Sequence, residues 1–277
     1  MNPSADLPHL KIVETSQLHP HELPDEQRAK PLVSALRRDR VLKNPPIVQP
    51  IGGQDEGYVV LDGANRVTAL RLLDSPHCLV QVARPARDSV EVRTWNHVLM
   101  GLAVEEARSL LSQSDFLKGP AIENEADGEL SNRLLQVDYV GGERIALQAE
   151  GLDLRERIEW LNQIVDTYRT QVHFERTNES RLAGINGVYN AVAALVIFPE
   201  FDPDEIVQAA AQKLHFPPGI TRFIVSPRAL RLNYPIAMFN GEESLVEKQK
   251  NLDTWIRSRV HNRRVRYYAE STFMFDE

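Results

Sequence analysis

The 277-residue sequence contains a single cysteine, Cys78. One thiol cannot form an internal disulfide, which excludes a disulfide-stabilised extracellular scaffold and is typical of a chain that works in a reducing cytoplasm. Cys78 lies between His77 and Leu79 in an apolar segment. We therefore expect a buried, unreactive thiol in a core strand rather than a nucleophile.

Long hydrophobic runs are also absent. The longest, from Ala191 to Phe198, has the length of a core strand and is far short of the roughly 18 residues of a membrane helix. The N-terminal residues show no basic segment followed by an apolar one, so no secretory signal is expected. We expect no membrane association and a cytoplasmic location.

Several sequence motifs of known chemistry are missing. There is no Walker A sequence, so a nucleotide would have to be held without a P-loop. No HExxH, CxxC or CxxCH occurs either, which argues against a structural zinc and against covalently attached haem. An axial histidine for non-covalent haem cannot be chosen from the sequence.

The charge balance is acidic, with 32 Lys and Arg against 39 Asp and Glu and a net charge of −7. General nucleic-acid binders usually carry a basic surface, so DNA binding is not favoured. Basic side chains do cluster around Arg37 to Arg40 and Arg257 to Arg266. We interpret both clusters as solvated surfaces.

The chain does contain one informative strand–turn–helix pattern. The apolar run from Tyr58 to Leu61 predicts a buried strand, and Val67, Leu70 and Leu73 recur at helical spacing. Gly63 permits a tight turn and a close approach to the backbone. The N–H groups at the start of the helix, together with Arg66, favour an anion, and Asp62 is placed to hold a metal that bridges phosphates. A helix-capping Asp62 with a solvated Arg66 is the alternative.

Other periodicities predict the remaining elements. Gly141-Gly142 lies between two strand-like runs and predicts a hairpin, and the apolar spacing from Asp153 to Thr170 predicts an amphipathic helix. A helix is expected from His97 to about Leu111. A late strand is expected from Val265 to Tyr268.

Six segments together resemble one protein superfamily. Asp-Gly-Ala-Asn-Arg at 62–66, followed by Val-Thr-Ala-Leu, resembles the phosphate-binding signature of the ParB/sulfiredoxin superfamily. The segment from Leu42 to Val48, which contains Asn44-Pro45-Pro46, resembles the one that leads into the first core strand of that fold. Four further segments resemble the free L-serine kinase branch of the superfamily, which includes the enzymes of siderophore clusters that make O-phospho-L-serine: His21–Glu26, Trp95-Asn96-His97, Gly219–Arg222 and Arg264–Glu270.

The resemblance implies an α+β fold. Residues 1–98 would form a ParB/sulfiredoxin-like nucleotide-binding domain, and residues 99–277 a mixed α/β domain that closes over the substrate. The active-site cleft would lie between the two domains.

The resemblance also implies a reaction, the transfer of a nucleotide phosphoryl group to the hydroxyl of free L-serine. Glu22 would be the base, and Asp62 would hold Mg²⁺ and take part in catalysis. ATP and ADP are both open as donors. The nucleotide would be bound by Lys43, Gly63, Ala64, Asn65 and Arg66, and the serine by Trp95, His97, Thr221 and Arg222.

Two departures narrow this interpretation. The branch often has His where this chain has Asn65, and an amide donates a hydrogen bond but is no acid. Sulfiredoxin needs a Cys in the same turn, so sulfinic-acid reduction is excluded. A ParB-type DNA-binding regulator and a nuclease remain as alternatives, although no helix-turn-helix and no two-metal carboxylate set is evident. The oligomeric state and the choice of serine over another small amino acid stay open.

Overall fold

The computed structural model describes residues 7–24, 26–52, 57–84, 88–112, 122–123 and 133–268. In chain order the strands are β1 His9–Glu14, β2 Leu18–Pro20, β3 Val41–Leu42, β4 Ile47–Pro50, β5 Tyr58–Asp62, β6 His77–Val82, β7 Ser89–Thr94, β8 Asn96–Met100, β9 Ile122–Glu123, β10 Arg133–Tyr139, β11 Arg144–Gln148, β12 His173–Thr177, β13 Val192–Ile197, β14 Thr221–Ser226 and β15 Tyr234–Pro235. The helices are α1 Glu26–Asp39, α2 Ala64–Arg71, α3 Val104–Leu111, α4 Leu154–Tyr168, α5 Leu182–Ile185, α6 Pro203–Ala211, α7 Ala237–Asn240 and α8 Leu245–His261.

Five strands near the N-terminus form a mixed sheet in the order β1-β6-β4-β5-β2. Strands β2 and β5 run parallel, whereas β4 and β5 are antiparallel. The sheet forms because β5 and β6 are almost continuous apolar runs, which suit strands covered on both faces. Cys78 in β6 is buried as predicted, and burial raises the pKa of its thiol to about 12. It is therefore an inert core side chain.

The second sheet has six antiparallel strands in the order β12-β8-β13-β10-β11-β9. The predicted hairpin is confirmed, because β10 and β11 pair on either side of Gly141 and Gly142, which both have positive φ. The predicted amphipathic helix is confirmed as α4. Its buried side chains contribute to the core of this sheet and are Ile158, Leu161, Ile164, Val165 and Tyr168.

Two predicted elements are wrong. The segment from Asn96 to Met100 is strand β8 rather than the start of a helix, and helix α3 begins at Val104. Strand pairing overrides the helical spacing here because β8 is hydrogen-bonded to β12 on one side and to β13 on the other. Residues 265–268 form no strand: they pair with no strand among the residues that the structure describes, and Tyr267 is 63% exposed.

The C-terminal chain returns to the N-terminal sheet. Tyr234, Phe239 and Leu252 are buried in one cluster with Val60 and Leu79. Helix α8 begins at a capping box of Ser244 and Glu247 and packs against β1. The fold is thus a mixed α+β arrangement of several sheets, and the division at residues 98 and 99 stays a prediction. None of the described helices is both long and apolar enough to cross a membrane.

Candidate functional site

The parallel pair β2 and β5 brings two carboxylates to one edge of the first sheet. Pro20 is the partner of Val60 in the register of this pair. Glu22 therefore follows β2 at the level where Asp62 ends β5. Beyond Pro20 the chain leaves β2, and Glu22 forms a bridge to Phe216. The two acids that were predicted as catalytic thus follow the same ends of two neighbouring strands.

The turn after β5 has the geometry of an anion site. Gly63 has a φ of 94° and is the N-cap of α2, with no side chain capping the helix. The first turn of α2, which contains Ala64 and Asn65, therefore presents the positive end of the helix dipole to a ligand. Asp62 lies beside this helix end and is one-third exposed.

Arg66 both stabilises the turn and supplies a positive charge to it. Its Nη1 donates to the carbonyl oxygens of Asn44, at 2.8 Å, and Pro45, at 3.1 Å. Its Nη2 lies 3.3 Å from Oδ2 of Asp62. Burial lowers the pKa of Arg66. The nearby carboxylate of Asp62 raises it again, so the guanidinium stays charged. Arg66 thus ties the Asn44-Pro45 segment to the turn and adds a positive charge there.

Gly63 is required by both its backbone and its neighbour. A Cβ at this position would lie 2.9 Å from Nε and Nη2 of Arg66, and its φ is one that alanine rarely adopts. We expect Gly63→Ala to lower the free energy of unfolding by about 1–3 kcal/mol and to weaken nucleotide binding. Chemical denaturation and calorimetry measure the two effects.

Gly141→Ala is the matched control for this prediction. Gly141 has a φ of 110°, but a Cβ there meets nothing within 4 Å. The control should show the backbone strain alone and leave nucleotide affinity unchanged. Equal nucleotide affinities of the two variants would show that Arg66 moves aside freely and that its position does not matter.

Glu22 is held by a loop from the far end of the chain. Its Oε2 accepts a hydrogen bond from Gly219 N at 2.6 Å, and its Oε1 accepts from Thr221 N at 2.9 Å and from Thr221 Oγ1 at 2.5 Å. A two-bond bridge between His21, Leu23 and Phe216 fixes the backbone on both sides. The carboxylate is therefore oriented by three donors and by its own backbone.

His21 extends this network into the core. Its Nδ1 lies 2.6 Å from the carbonyl oxygen of Val60, which only accepts, so Nδ1 carries a proton. Its Nε2 lies 2.6 Å from Oγ1 of Thr221. The single hydroxyl proton of Thr221 serves either His21 or Glu22. One additional proton on either residue completes both hydrogen bonds.

Trp95 and Arg222 lie next to this network. The Arg222 guanidinium stacks over the Trp95 ring, with Cζ 4.5 Å from the centroid. Its Nη1 donates to Oδ1 of Asn178 at 2.8 Å. The backbone of Trp95 is bound to Ile220, inside the loop that holds Glu22. Of the predicted substrate residues, Thr221 thus contacts Glu22 directly, whereas Trp95 and Arg222 contact each other beside the loop that holds Glu22.

Two other predicted residues are placed differently. His97 is fully buried. Its Nδ1 forms a hydrogen bond with Oη of Tyr168 at 2.7 Å, and its ring packs against Phe174 and Phe198. Lys43 is exposed and pairs with Asp39 at 3.0 Å. Their predicted roles in binding serine and nucleotide stay predictions.

Sequence reasoning missed Arg228. Its guanidinium donates to Oδ2 of Asp62, across 166 residues of chain. No motif marks Arg228, and a single arginine in a loop carries no signal that would have identified it. Its contact with Asp62 arises only because the C-terminal chain folds back on the first sheet.

The described residues contain no group of three His, Cys, Asp or Glu side chains that could hold a metal by themselves. Mg²⁺ usually binds through one or two carboxylates together with substrate phosphates. Asp62, one-third exposed beside a helix N-terminus, fits that mode of binding. The donor set is thus compatible with a metal that arrives with the nucleotide.

The sequence has relatives among kinases of free serine. It is 23% identical over 277 residues to the ATP-dependent L-serine kinase SbnI of Staphylococcus aureus, covering 97% of this chain and 98% of that protein. It is 30% identical over 90 residues to an ATP-dependent L-serine kinase of Staphylothermus marinus, covering 32% of this chain and 35% of that one. No known family model matches the sequence.

Solved structures of free serine kinases have a similar fold. A C-terminally truncated SbnI from Staphylococcus aureus superimposes with a TM-score of 0.71, at 22% identity, covering 91% of this chain and 97% of that one. A free serine kinase in complex with AMP superimposes with a TM-score of 0.69, at 14% identity, covering 83% and 93%. The branch indicated by the sequence motifs is therefore confirmed: in sequence along nearly its whole length, and in fold, the chain is similar to the free L-serine kinases.

Proposed function

We propose that this chain is an ATP-dependent kinase of free L-serine that produces O-phospho-L-serine and ADP. The observation that supports the proposal is the parallel pairing of β2 and β5, because Glu22 and Asp62 each lie two residues beyond the paired residues Pro20 and Val60. A phosphoryl acceptor and a phosphoryl donor have to meet in this way. The similarity of the whole chain to an ATP-dependent L-serine kinase supports it.

Glu22 is the base in this proposal. An ionised carboxylate has about four acceptor positions, and three donors use them here, which leaves one for the serine hydroxyl. The hydroxyl gives its proton to Glu22, its oxygen bonds to the γ-phosphorus, and the bond to the ADP oxygen breaks.

The donor nucleotide is held at the Asp62–Arg66 turn. The start of α2 and Arg66 supply positive charge to the phosphates, and Gly63 allows them to approach the backbone. Asp62 would hold Mg²⁺, which when bound neutralises phosphate charge. ADP remains the alternative donor.

In this proposal, free serine is recognised through its carboxylate. We assign its carboxylate to Arg222, whose planar fork suits a carboxylate and is already oriented by Trp95 and Asn178. Residues 1–98 form the nucleotide-binding unit of this proposal, and residues 99–277 contribute the loop at 219–222 that closes over the serine.

The test is serine-dependent nucleotide turnover. We expect ATP consumption by the purified protein to rise with L-serine concentration and to saturate, with O-phospho-L-serine detected by mass spectrometry. Parallel reactions with ADP and with L-threonine determine the donor and the acceptor.

A mobility shift on DNA from the protein's own genomic neighbourhood is the counter-test. We expect only weak, sequence-independent binding, with a dissociation constant of about 10⁻⁴–10⁻⁶ M at physiological salt. Tight, specific DNA binding without any serine-dependent turnover would refute the kinase and favour a DNA-binding regulator.

A further inference from the structure

Two arginines share one carboxylate at the start of α2. Arg228 and Arg66 both contact Oδ2 of Asp62, which leaves one positive charge in excess beside the helix N-terminus. The side chains of Arg228 and Asp62 are 37% and 33% exposed. An ion pair this accessible contributes little to stability, so an anionic ligand can displace Asp62 from Arg228.

The backbone of Arg228 is held in place from the core. Gln81 is 1% exposed, and its side-chain amide bonds both neighbours of Arg228: Nε2 donates to the carbonyl oxygen of Pro227, and Ala229 N donates to Oε1, both at 2.8 Å. The Gln81 amide thus satisfies one backbone acceptor before residue 228 and one backbone donor after it, as a neighbouring strand would. Because a buried amide is costly to leave unsatisfied, this contact keeps the Arg228 backbone against the first sheet.

A second tie joins the same loop to the turn. Arg231 N donates to Oδ1 of Asn44 at 2.8 Å, and the carbonyl oxygen of Asn44 accepts from Arg66. The Arg228 loop, the Asn44 segment and the Asp62 turn therefore form one connected unit. Arg228 is held at the turn by its backbone, independently of its ion pair.

The other arginine is largely committed to structure. The Nη1 group of Arg66 donates to the carbonyl oxygens of both Asn44 and Pro45, and the Arg66 side chain is only 19% exposed. The Arg228 side chain is twice as exposed, and it is paired with the carboxylate of Asp62. Of the two guanidinium groups at the turn, Arg228 is the one that a phosphate can reach more easily.

We propose that Arg228 is a phosphate-binding residue of the nucleotide site. Before the nucleotide binds, its guanidinium pairs with Asp62. When the nucleotide binds, the Arg228 guanidinium exchanges Asp62 for a phosphate oxygen. Asp62 then keeps its contact with Arg66 and is open to a metal that would arrive with the nucleotide. This inference rests on the proposed function, since it needs a nucleotide at the Asp62–Arg66 turn.

Calorimetric titration of ATP, ADP and adenosine, each without metal, tests the exchange. We expect Arg228→Ala to weaken ATP and ADP binding about tenfold to a hundredfold, the usual loss for a charge-assisted hydrogen bond. Adenosine affinity should stay unchanged, because the lost contact is to phosphate. Arg228→Lys, which keeps the charge without the planar fork, should fall between wild type and Arg228→Ala.

Arg231→Ala is the charge-matched control on the same loop. Arg231 is exposed, and the variant keeps its backbone bond to Asn44, so ATP affinity should stay within about threefold of wild type. An ATP affinity in Arg228→Ala equal to or above that of wild type would overturn the inference and make Arg228 a partner of Asp62 only. A wild-type protein that binds no nucleotide would instead refute the proposed function.

Discussion

Replacing Glu22 with glutamine should lower the turnover number of serine-dependent ATP consumption by about a hundredfold or more, the scale of a lost general base. Glutamine accepts hydrogen bonds through one oxygen only. Its NH₂ group would face either Gly219 N–H or Thr221 N–H, both of which now donate to the carboxylate. Steady-state kinetics with L-serine and ATP measures the effect, and nucleotide affinity should change little.

A loss at Glu22 has to be separated from a disturbance of the loop that holds it. Thr221→Val removes the hydroxyl donor to Glu22 but keeps the backbone donor and the carboxylate, so its loss of turnover should be clearly smaller. The exposed Glu242→Gln should be silent. If Thr221→Val lost as much turnover as Glu22→Gln, Glu22 would be a loop anchor and not the base.

The second large effect expected is a loss of stability in acid that depends on His97. Burial, with a smaller contribution from nearby Arg176, lowers the pKa of His97 to about 3. In the unfolded chain a histidine takes up its proton near pH 6.5. Between these values the unfolded state binds more protons, so the free energy of unfolding falls as the pH drops from about 6.5 to about 3. The accumulated loss should be on the order of 3–5 kcal/mol.

A variant that cannot titrate isolates this contribution from those of the carboxylates. His97→Gln should be less stable at neutral pH, because the aromatic packing and the bond to Tyr168 are disturbed. Its stability should nevertheless fall less steeply with decreasing pH than that of wild type, as measured by denaturant unfolding at several pH values. His173→Gln, at an exposed position, is the control. Equal slopes in His97→Gln and wild type would contradict a neutral, buried His97.

Local patterns predicted the elements well wherever the partner of a segment lies close in the chain. The hairpin around Gly141 and Gly142 forms because its two strands are separated only by a turn. Helix α4 forms because its apolar stripe and the Asp153 capping box are both local. The helix expected at His97 failed for the opposite reason: an apolar run of this kind becomes a strand once β12 and β13, far along the chain, pair with it.

By itself the sequence determined the strand–turn–helix at Tyr58 to Arg71, because a buried strand, a glycine with positive φ and an uncapped helix start are set by neighbouring residues. Its short motifs also indicated the resemblance to the free L-serine kinases. Only the tertiary structure decided which groups surround that turn. Thr221 reaches Glu22 across 199 residues and Arg228 reaches Asp62 across 166. Such contacts depend on how distant strands pair and on where the C-terminal chain returns to the first sheet, and no local pattern encodes either.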